Sequence, residues 1–211
     1  MYDLPYHKAE NRDVIRAFVT EHPFAFVTGC DSENKPVATQ VPVLIEEQLG
    51  REVLRGHLMR NTDHHRAFAH NPEVLVVFAG PHTYVSGTWY SNPHTPSTWN
   101  YMSVHVRGRI RFLVGADLEQ VLRRTSLQFE GNNPDSTTTF DHIPETLRKK
   151  YLPAIVAFEI EISSIDTVFK LSQDRDEASY RNIIRQLMQQ GPGAQAIASE
   201  MEKRLRKQFP G

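Results

Sequence analysis

The stretch WNYMSVHVRGRIRFLV, from Trp99 to Val114, alternates apolar and polar side chains for longer than a flat strand of a small sheet runs. A strand of that length has to bend, and Gly108 is the residue that lets it, so this segment reads as a barrel strand with a kink. Other segments supply its partners. FAFVTGC (Phe24–Cys30) and PVATQVPVLIEE (Pro36–Glu47) are β-rich runs joined by the turn-forming DSENK. EVLRGHL follows Gly50, EVLVVFAG follows Pro72, and AIVAFEIEISSIDTVFK makes the sixth. Gly80 and Pro81, between EVLVVFAG and HTYVSGTWY, mark a second hairpin.

Short helices stand at the corners. Asn11 precedes RDVIRAFVTEH, in which Val14, Ile15, Phe18 and Val19 fall at helical spacing before Pro23. DHHRAFAHN is a second helical segment, closed by Pro72, and DLEQVLRRTSLQFEG a third. SNPHTPST and NNPDSTTTFDHIP read as loops, the latter exposed. From Glu177 the pattern changes: Tyr180, Ile183, Ile184, Leu187 and Met188 form one apolar stripe, and Gly191-Pro192-Gly193 breaks it before a last charged helix. The expected fold is therefore mainly β with helical additions. It is a six-stranded antiparallel barrel over residues 1–175 with its N-terminal helix, and a C-terminal helical extension over 176–211 packed on the same unit.

A chain of 211 residues with 39% hydrophobic side chains can bury one barrel-sized core. Its 24 basic and 25 acidic residues leave a formal charge of -1, which excludes a global basic field for nucleic acid or an acidic membrane. A single cysteine, Cys30, excludes an intrachain disulfide and a cysteine zinc site. With no long apolar run and no signal-like start, the reading is a cytoplasmic protein.

Two segments carry chemistry. In GHLMRNTDHHRAF, Arg60, Asn61, Thr62, His64 and His65 gather a guanidinium fork, an amide, a hydroxyl and imidazoles at one strand-to-helix corner, a set suited to a phosphate dianion. A helix starting near Asp63 adds backbone donors and a positive dipole end. The plainer alternative is a solvated corner capped by Thr62 or Asp63. Farther on, the stretch from Gly80 to His105 concentrates histidines and aromatics, including both tryptophans, at a density suited to a flat ring or to an aromatic barrel core. Asn100, between Trp99 and Tyr101, needs a partner if it is buried.

At these residues the chain resembles the PaiB family of FMN-binding negative transcriptional regulators, within the split-barrel flavin-binding fold shared with pyridoxamine phosphate oxidase. GHLMRNTDHH is similar to the family's Gly-His-Leu-Ala-Arg-Ala-Asn-Pro-His-Trp, and GPHTYVSGTWY to its Gly-Pro-His-Ala-Tyr-Ile-Ser-Pro-Ser-Trp-Tyr. STWNY and FKLSQDR resemble Pro-Thr-Trp-Asn-Tyr and Lys-Leu-Ser-Gln-Asn-Arg. The resemblance implies a homodimer with FMN at its interface. The flavin phosphate is then held by Arg60, Asn61, Thr62 and His64, and the isoalloxazine lies along Thr39, Gln40 and Val41 with His57 beside it. Trp99 and Asn100 reach the pocket from the second subunit, and Gln173 is a further contact. The chain departs from the pattern where Thr62 replaces Asn, Asp63 replaces Pro, His65 replaces Trp and Gly87 replaces Pro.

The resemblance also implies a regulatory role, and DNA as a partner by the family label alone. The best basic run, EKRLRK at Glu202 to Lys207, has the simpler explanation of a solvated helix face. The alternative is an FMN-dependent NAD(P)H reductase or oxidase of a small molecule, with His57, His82 or His105 as proton donors. A haem-binding split barrel ranks behind both. His64 and His65 are adjacent, so on a helix they diverge by about 100° and cannot share an ion.

Overall fold

The computed structural model describes residues 3–9, 11–92 and 94–210. Met1, Tyr2, Glu10, Pro93 and Gly211, which fall at the ends of the expected ranges, before the first helix and within the SNPHTPST loop, lie outside the described residues. The strands are β1 (Phe24–Cys30), β2 (Pro36–Gln48), β3 (Arg51–Met59), β4 (Glu73–Val85), β5 (Thr98–Leu113) and β6 (Ile155–Lys170). The helices are α1 (Arg12–Glu21), α2 (Asp63–His70), α3 (Ala116–Phe129), α4 (Glu145–Tyr151), α5 (Glu177–Leu187) and α6 (Pro192–Gln208). The strands close an antiparallel barrel in the order β1-β2-β3-β6-β5-β4, as the alternating runs imply.

Two expectations are corrected. Gly80 and Pro81 do not turn the chain: β4 runs straight through them, because proline's fixed φ lies within the extended range. NNPDSTTTFDHIP is not uniformly exposed, since Thr139 and Phe140 are buried. The Arg123 and Arg148 guanidinium carbons lie 5.0 and 5.2 Å from the centre of the Phe140 ring.

The chain gathers into two compact units whose limits differ from the sequence division at residue 175. The first comprises Arg16–Phe78 and His105–Ile165. Its interior is built from alternate residues of its strands: Ala25 and Val27, Val43, Leu54 and Leu58, Val76 and Phe78, Phe158 and Ile160. Apart from Ala25, each such side chain contributes about 1.5–3 kcal/mol by leaving water. Phe68 of α2 is fully buried, and a Cβ at Gly29 of β1 would stand 3.0 Å from its ring, so glycine there lets the helix seat. On the other face of β3, α3 buries Leu118 and Val121 against Leu113 and Ala157.

The second unit holds the described residues of Met1–Ile15, Ala79–Val104 and Asp166–Gly211. Here α5 and α6 bury Tyr180, Ile183, Ile184 and Leu187 with Ile197 and Met201, so four of the expected stripe positions are buried. Met188 lies past the end of α5 and is exposed. Asp176 caps α5, accepting from Ser179 N at 2.9 Å and from the hydroxyls of Ser179 and Ser91.

Candidate functional site

The ladders of the first unit show where the barrel opens. β2 pairs with β1 from Phe24↔Pro42 to Cys30↔Pro36, and with β3 from Gln48↔Arg51 only as far as Val43↔Gly56. β3 continues along β6 to Met59↔Ile155. Past Val43 and Gly56, therefore, β2 keeps only β1 and β3 keeps only β6, and a split runs between them. Gly56 stands at its head. A Cβ there would fall 2.6 Å from the Pro42 carbonyl oxygen and 2.6 Å from the Phe158 ring, so no larger residue fits without moving a strand.

Thr39, Gln40 and Val41 line the β2 side. Thr39 and Val41 lie opposite the buried Val27 and Ala25 and share their face, whereas Gln40 lies opposite Phe26, and both of these are exposed. Val43 N–H donates to Pro23 O at 2.8 Å, which turns the N–H and C=O groups of the even-numbered β2 residues, Gln40 among them, toward the split.

The β3 side ends in the corner. Arg60 N–H donates to Ala154 O at 2.9 Å, and its Nε donates to Ile155 O at 2.7 Å. That anchor leaves both Nη groups without a hydrogen-bond partner among the described residues. Asn61 adopts the left-handed φ of 60°, a conformation asparagine tolerates better than most residues. Its N–H donates to His65 Nδ1 at 3.2 Å, and its carbonyl accepts from Arg66 Nη1 at 2.5 Å. Thr62 is the α2 cap: Oγ1 accepts from His65 N–H at 3.3 Å and donates to Met59 O at 3.0 Å. Asp63 is turned onto its own helix, accepting from His64 N–H at 2.8 Å and lying 3.1 Å from His64 Nδ1. Chiefly the backbone N–H of His64 holds its carboxyl below the usual range.

The corner therefore has two characters. Burial first, then the charges of Arg60, His64 and Arg66, push His65 below its usual value. Yet Thr62 and Asp63 already occupy the first helical donors, so the guanidiniums rather than the α2 terminus are what an anion finds open.

His57 points away from the barrel interior into an apolar cavity of about 260 Å³ roofed by α3 and α4. Its Nδ1 is buried there without a partner, and burial pushes its pKa down. Leu122, Thr125, Phe140, Ile143 and Arg148 also line this space, and sequence reasoning missed them all. The usable signals were the Glu145–Lys149 pair, 2.6 Å apart, and the i, i+4 spacing of Leu147 and Tyr151, which together mark the short α4.

The remaining candidates belong to the second unit. Asn100 is fully buried: Nδ2 donates to Ser172 Oγ at 3.0 Å and Oδ1 accepts from the same hydroxyl at 3.1 Å. Gln173 spends its amide on backbone, Nε2 donating to Tyr6 O and Phe169 O and Oε1 accepting from Leu171 N–H at 2.7 Å. Trp99 is 54% exposed and forms a surface group with His82 and Tyr84, whose ring centres lie 6.3 and 6.0 Å from it. Tyr84 is thus not a core residue. In the basic run, Lys203 and Arg204 both pair with Glu200. No helix among the described residues is long and apolar enough to cross a membrane.

Comparison with known proteins bears out the PaiB-type resemblance. Residues 1–164 match the family described as "Putative FMN-binding domain". The chain is 34% identical over 210 residues, 99% of its length and all of the relative's, to the protease synthase and sporulation protein PAI 2 of Bacillus subtilis. It is 22% identical over 223 residues, 87% of this chain and 89% of the other, to the uncharacterized protein AN0679 of Emericella nidulans. Among solved structures, the conserved hypothetical protein Rv2991 of Mycobacterium tuberculosis superposes with a TM-score of 0.58 at 11% identity, over 80% of this chain and 90% of that one. The flavocytochrome Anf3 of Azotobacter vinelandii superposes with 0.57 at 15%, over 81% and 72%. These structural likenesses establish the split-barrel fold.

Proposed function

Because the chain belongs to the FMN-binding-domain family matched over residues 1–164, we propose that it is a homodimeric FMN-binding protein with a regulatory role, its flavin held in the split between β2 and β3. The observation that carries this reading is the open guanidinium of Arg60 at the end of that split, fixed by Ile155 O and with no further acceptor among the described residues.

The residues fit the cofactor. Arg60 takes the phosphate charge, with the Asn61 amide, the Thr62 hydroxyl and the His64 imidazole around it. The ring lies along the edge of Thr39, Gln40 and Val41, where the Gln40 N–H and C=O are turned outward from β1 and meet the heteroatoms of a flat polar ring. His57 follows Gly56 at the head of the split, but its imidazole is turned into the cavity under α3 and α4 and not onto the ring. FMN, when bound, supplies reversible two-electron redox chemistry, and the protein's part is to bind, orient and shield it.

A second copy completes the pocket in this reading. Phe24 and Phe26 on β1, 58% and 43% exposed, offer an apolar face in one unit, and Trp99 with Tyr84 offers an aromatic one in the other. Trp99 is the residue we assign to the partner's flavin, while Asn100 and Gln173, with their amides engaged, hold the segments that carry it. The regulatory role rests on the PaiB-family resemblance, and the Bacillus relative bears the name protease synthase and sporulation protein. DNA contact has little support in α6, where Glu200 offsets Lys203 and Arg204.

The test is the visible absorption of purified protein, before and after excess FMN is added and the unbound fraction removed, beside an Arg60→Ala variant. Flavin retained by the parent protein and lost by the variant is the expected result. Protein that retains none overturns the reading.

A further inference from the structure

The cavity over His57 is walled almost wholly by carbon, yet three polar atoms are buried beside it with no hydrogen-bond partner among the described residues. They are His57 Nδ1, Thr125 Oγ1 and Arg148 Nε. Thr125 is itself only 8% exposed. A buried donor without a partner costs about 1–3 kcal/mol, and such groups gathered round one apolar space describe a ligand that has an apolar body and one polar end.

The polar end is identified by the donors. Arg148 Nε can only donate, the threonine hydroxyl can donate, and one charge is fixed within the set. Phosphate is a poor match, because a dianion beside a single guanidinium would face apolar walls on every other side. A pure hydrocarbon leaves the three polar atoms as they are. A carboxylate satisfies both donors and matches the single positive charge. The rim agrees: Lys150 Nζ stands 5.4 Å from the ring centre of Tyr151, which borders the opening.

We propose that this cavity binds a small monocarboxylic acid with an unbranched or aromatic apolar body, its carboxylate on Arg148 Nε and Thr125 Oγ1 and its body against Leu122, Phe129, Ile143 and Leu152. At about 260 Å³ it has room for about nine water-sized groups of ~30 Å³ each, the size of a medium-chain acid. His57, kept neutral by burial, offers a third hydrogen bond without adding charge. The site is formed by the first unit's own residues and does not depend on flavin.

The experiment titrates octanoate and octan-1-ol separately into flavin-free protein and follows heat or ligand NMR signals. The expected result is saturable binding of octanoate, roughly tenfold tighter than octanol, the margin of one charge-assisted hydrogen bond. In Arg148→Met, which keeps an apolar stem in the wall, octanol still binds and the preference for the acid is lost. Ile143→Trp, which fills the space, abolishes both. Three outcomes overturn the proposal: no saturable binding of octanoate to the parent protein, octanol bound as tightly as octanoate, or a preference for the acid that survives Arg148→Met. The octanol signal of the Arg148 variant reports that it is folded, and the comparison of acid with alcohol on the parent protein needs no variant. FMN binding is measured on the same preparation, so loss of the flavin reading and loss of this one are seen apart.

Discussion

Arg55 and Glu159 face each other directly across the β3–β6 ladder, and Nε and Nη2 of the arginine both donate to one carboxylate oxygen, at 2.9 and 2.5 Å. Arg111 takes the other oxygen through Nε and Nη2 at 3.0 and 2.7 Å. Burial alone would raise the Glu159 pKa, but the two guanidiniums hold it below the usual carboxylate range. The pair sits on the face of β3 that also carries His57, so it sets the floor on which α3 and the cavity rest.

Glu159→Gln should lower unfolding stability by about 1–3 kcal/mol, since the buried Arg55 then keeps as its ion-pair partner Glu46, whose carboxylate lies 3.4 Å from Nη1. Replacing Arg55 and Glu159 together by leucine should cost much less. Urea unfolding of the single and double variants checks this. With a depressed folded-state value, the pair's contribution is present above the unfolded value of 4.5 and is lost as pH falls through the folded one.

Gly56→Ala should destabilise the protein by about 1–3 kcal/mol, through its clash with Pro42 O and the Phe158 ring. Because the clash lies at the head of the split, FMN retention should fall as well. A denaturant midpoint and a bound-flavin absorbance, read on one sample, check both effects.

Asp63→Asn should tighten FMN binding roughly two- to fivefold, the range of a single charge at a helix N-terminus. It removes a negative charge beside the proposed phosphate while keeping an oxygen that can accept from His64 N–H. Fluorescence titration of FMN is the measurement, and the gain should shrink as salt is added.

His57 and His65 both have folded-state pKa values below 6.5, each chiefly through burial. As pH falls, the unfolded chain takes up these protons first, so their contribution is full above about 6.5 and declines below it toward the folded values. The thermal midpoint should drop as pH falls below about 6.5. His65→Gln should flatten that slope, because protonated His65 cannot accept from Asn61 N–H.

Asp176→Ala should cost about 1 kcal/mol, the usual worth of a helix cap. Ser179 N–H and its buried hydroxyl then lose their acceptor. The carboxyl, held down to about 2 mainly by the Ser179 hydroxyl, contributes above its unfolded value of 3.8 and loses that contribution as pH falls through 2. Thermal melts across the acid range should separate variant and parent least at the lowest pH.

The barrel was legible because its strands are alternating or continuously β-branched runs, and the first joint carries turn chemistry. DSENK turns as expected, with Asp31 Oδ1 accepting from Glu33 and Lys35 N–H. Gly80-Pro81 misled, because a dipeptide that usually turns also fits an extended strand when its neighbours pair. The phosphate role proposed for the corner rests on side-chain types alone, whereas the cap that the sequence offered at Thr62 or Asp63 is formed by Thr62. The cavity was illegible for another reason. Phe140 is buried by two arginines from separate helices, and no local period records a contact of that kind. Asn100 shows the boundary well: its need of a partner is written beside it, but Ser172 stands 72 positions away.

An opened ladder carries a hazard as well as a pocket, since exposed strand backbone can recruit a neighbour's strand and grow into fibres. The even-numbered residues of β2, from Pro36 to Pro42, turn their backbone nitrogens to the split, and the two prolines that bracket the stretch have no hydrogen to give. Only Ala38 and Gln40 can donate there. The same opening that admits a ligand is thus too poor in donors to template a foreign strand, and replacing Pro36 and Pro42 by valine should make the protein prone to precipitate before it makes it unstable.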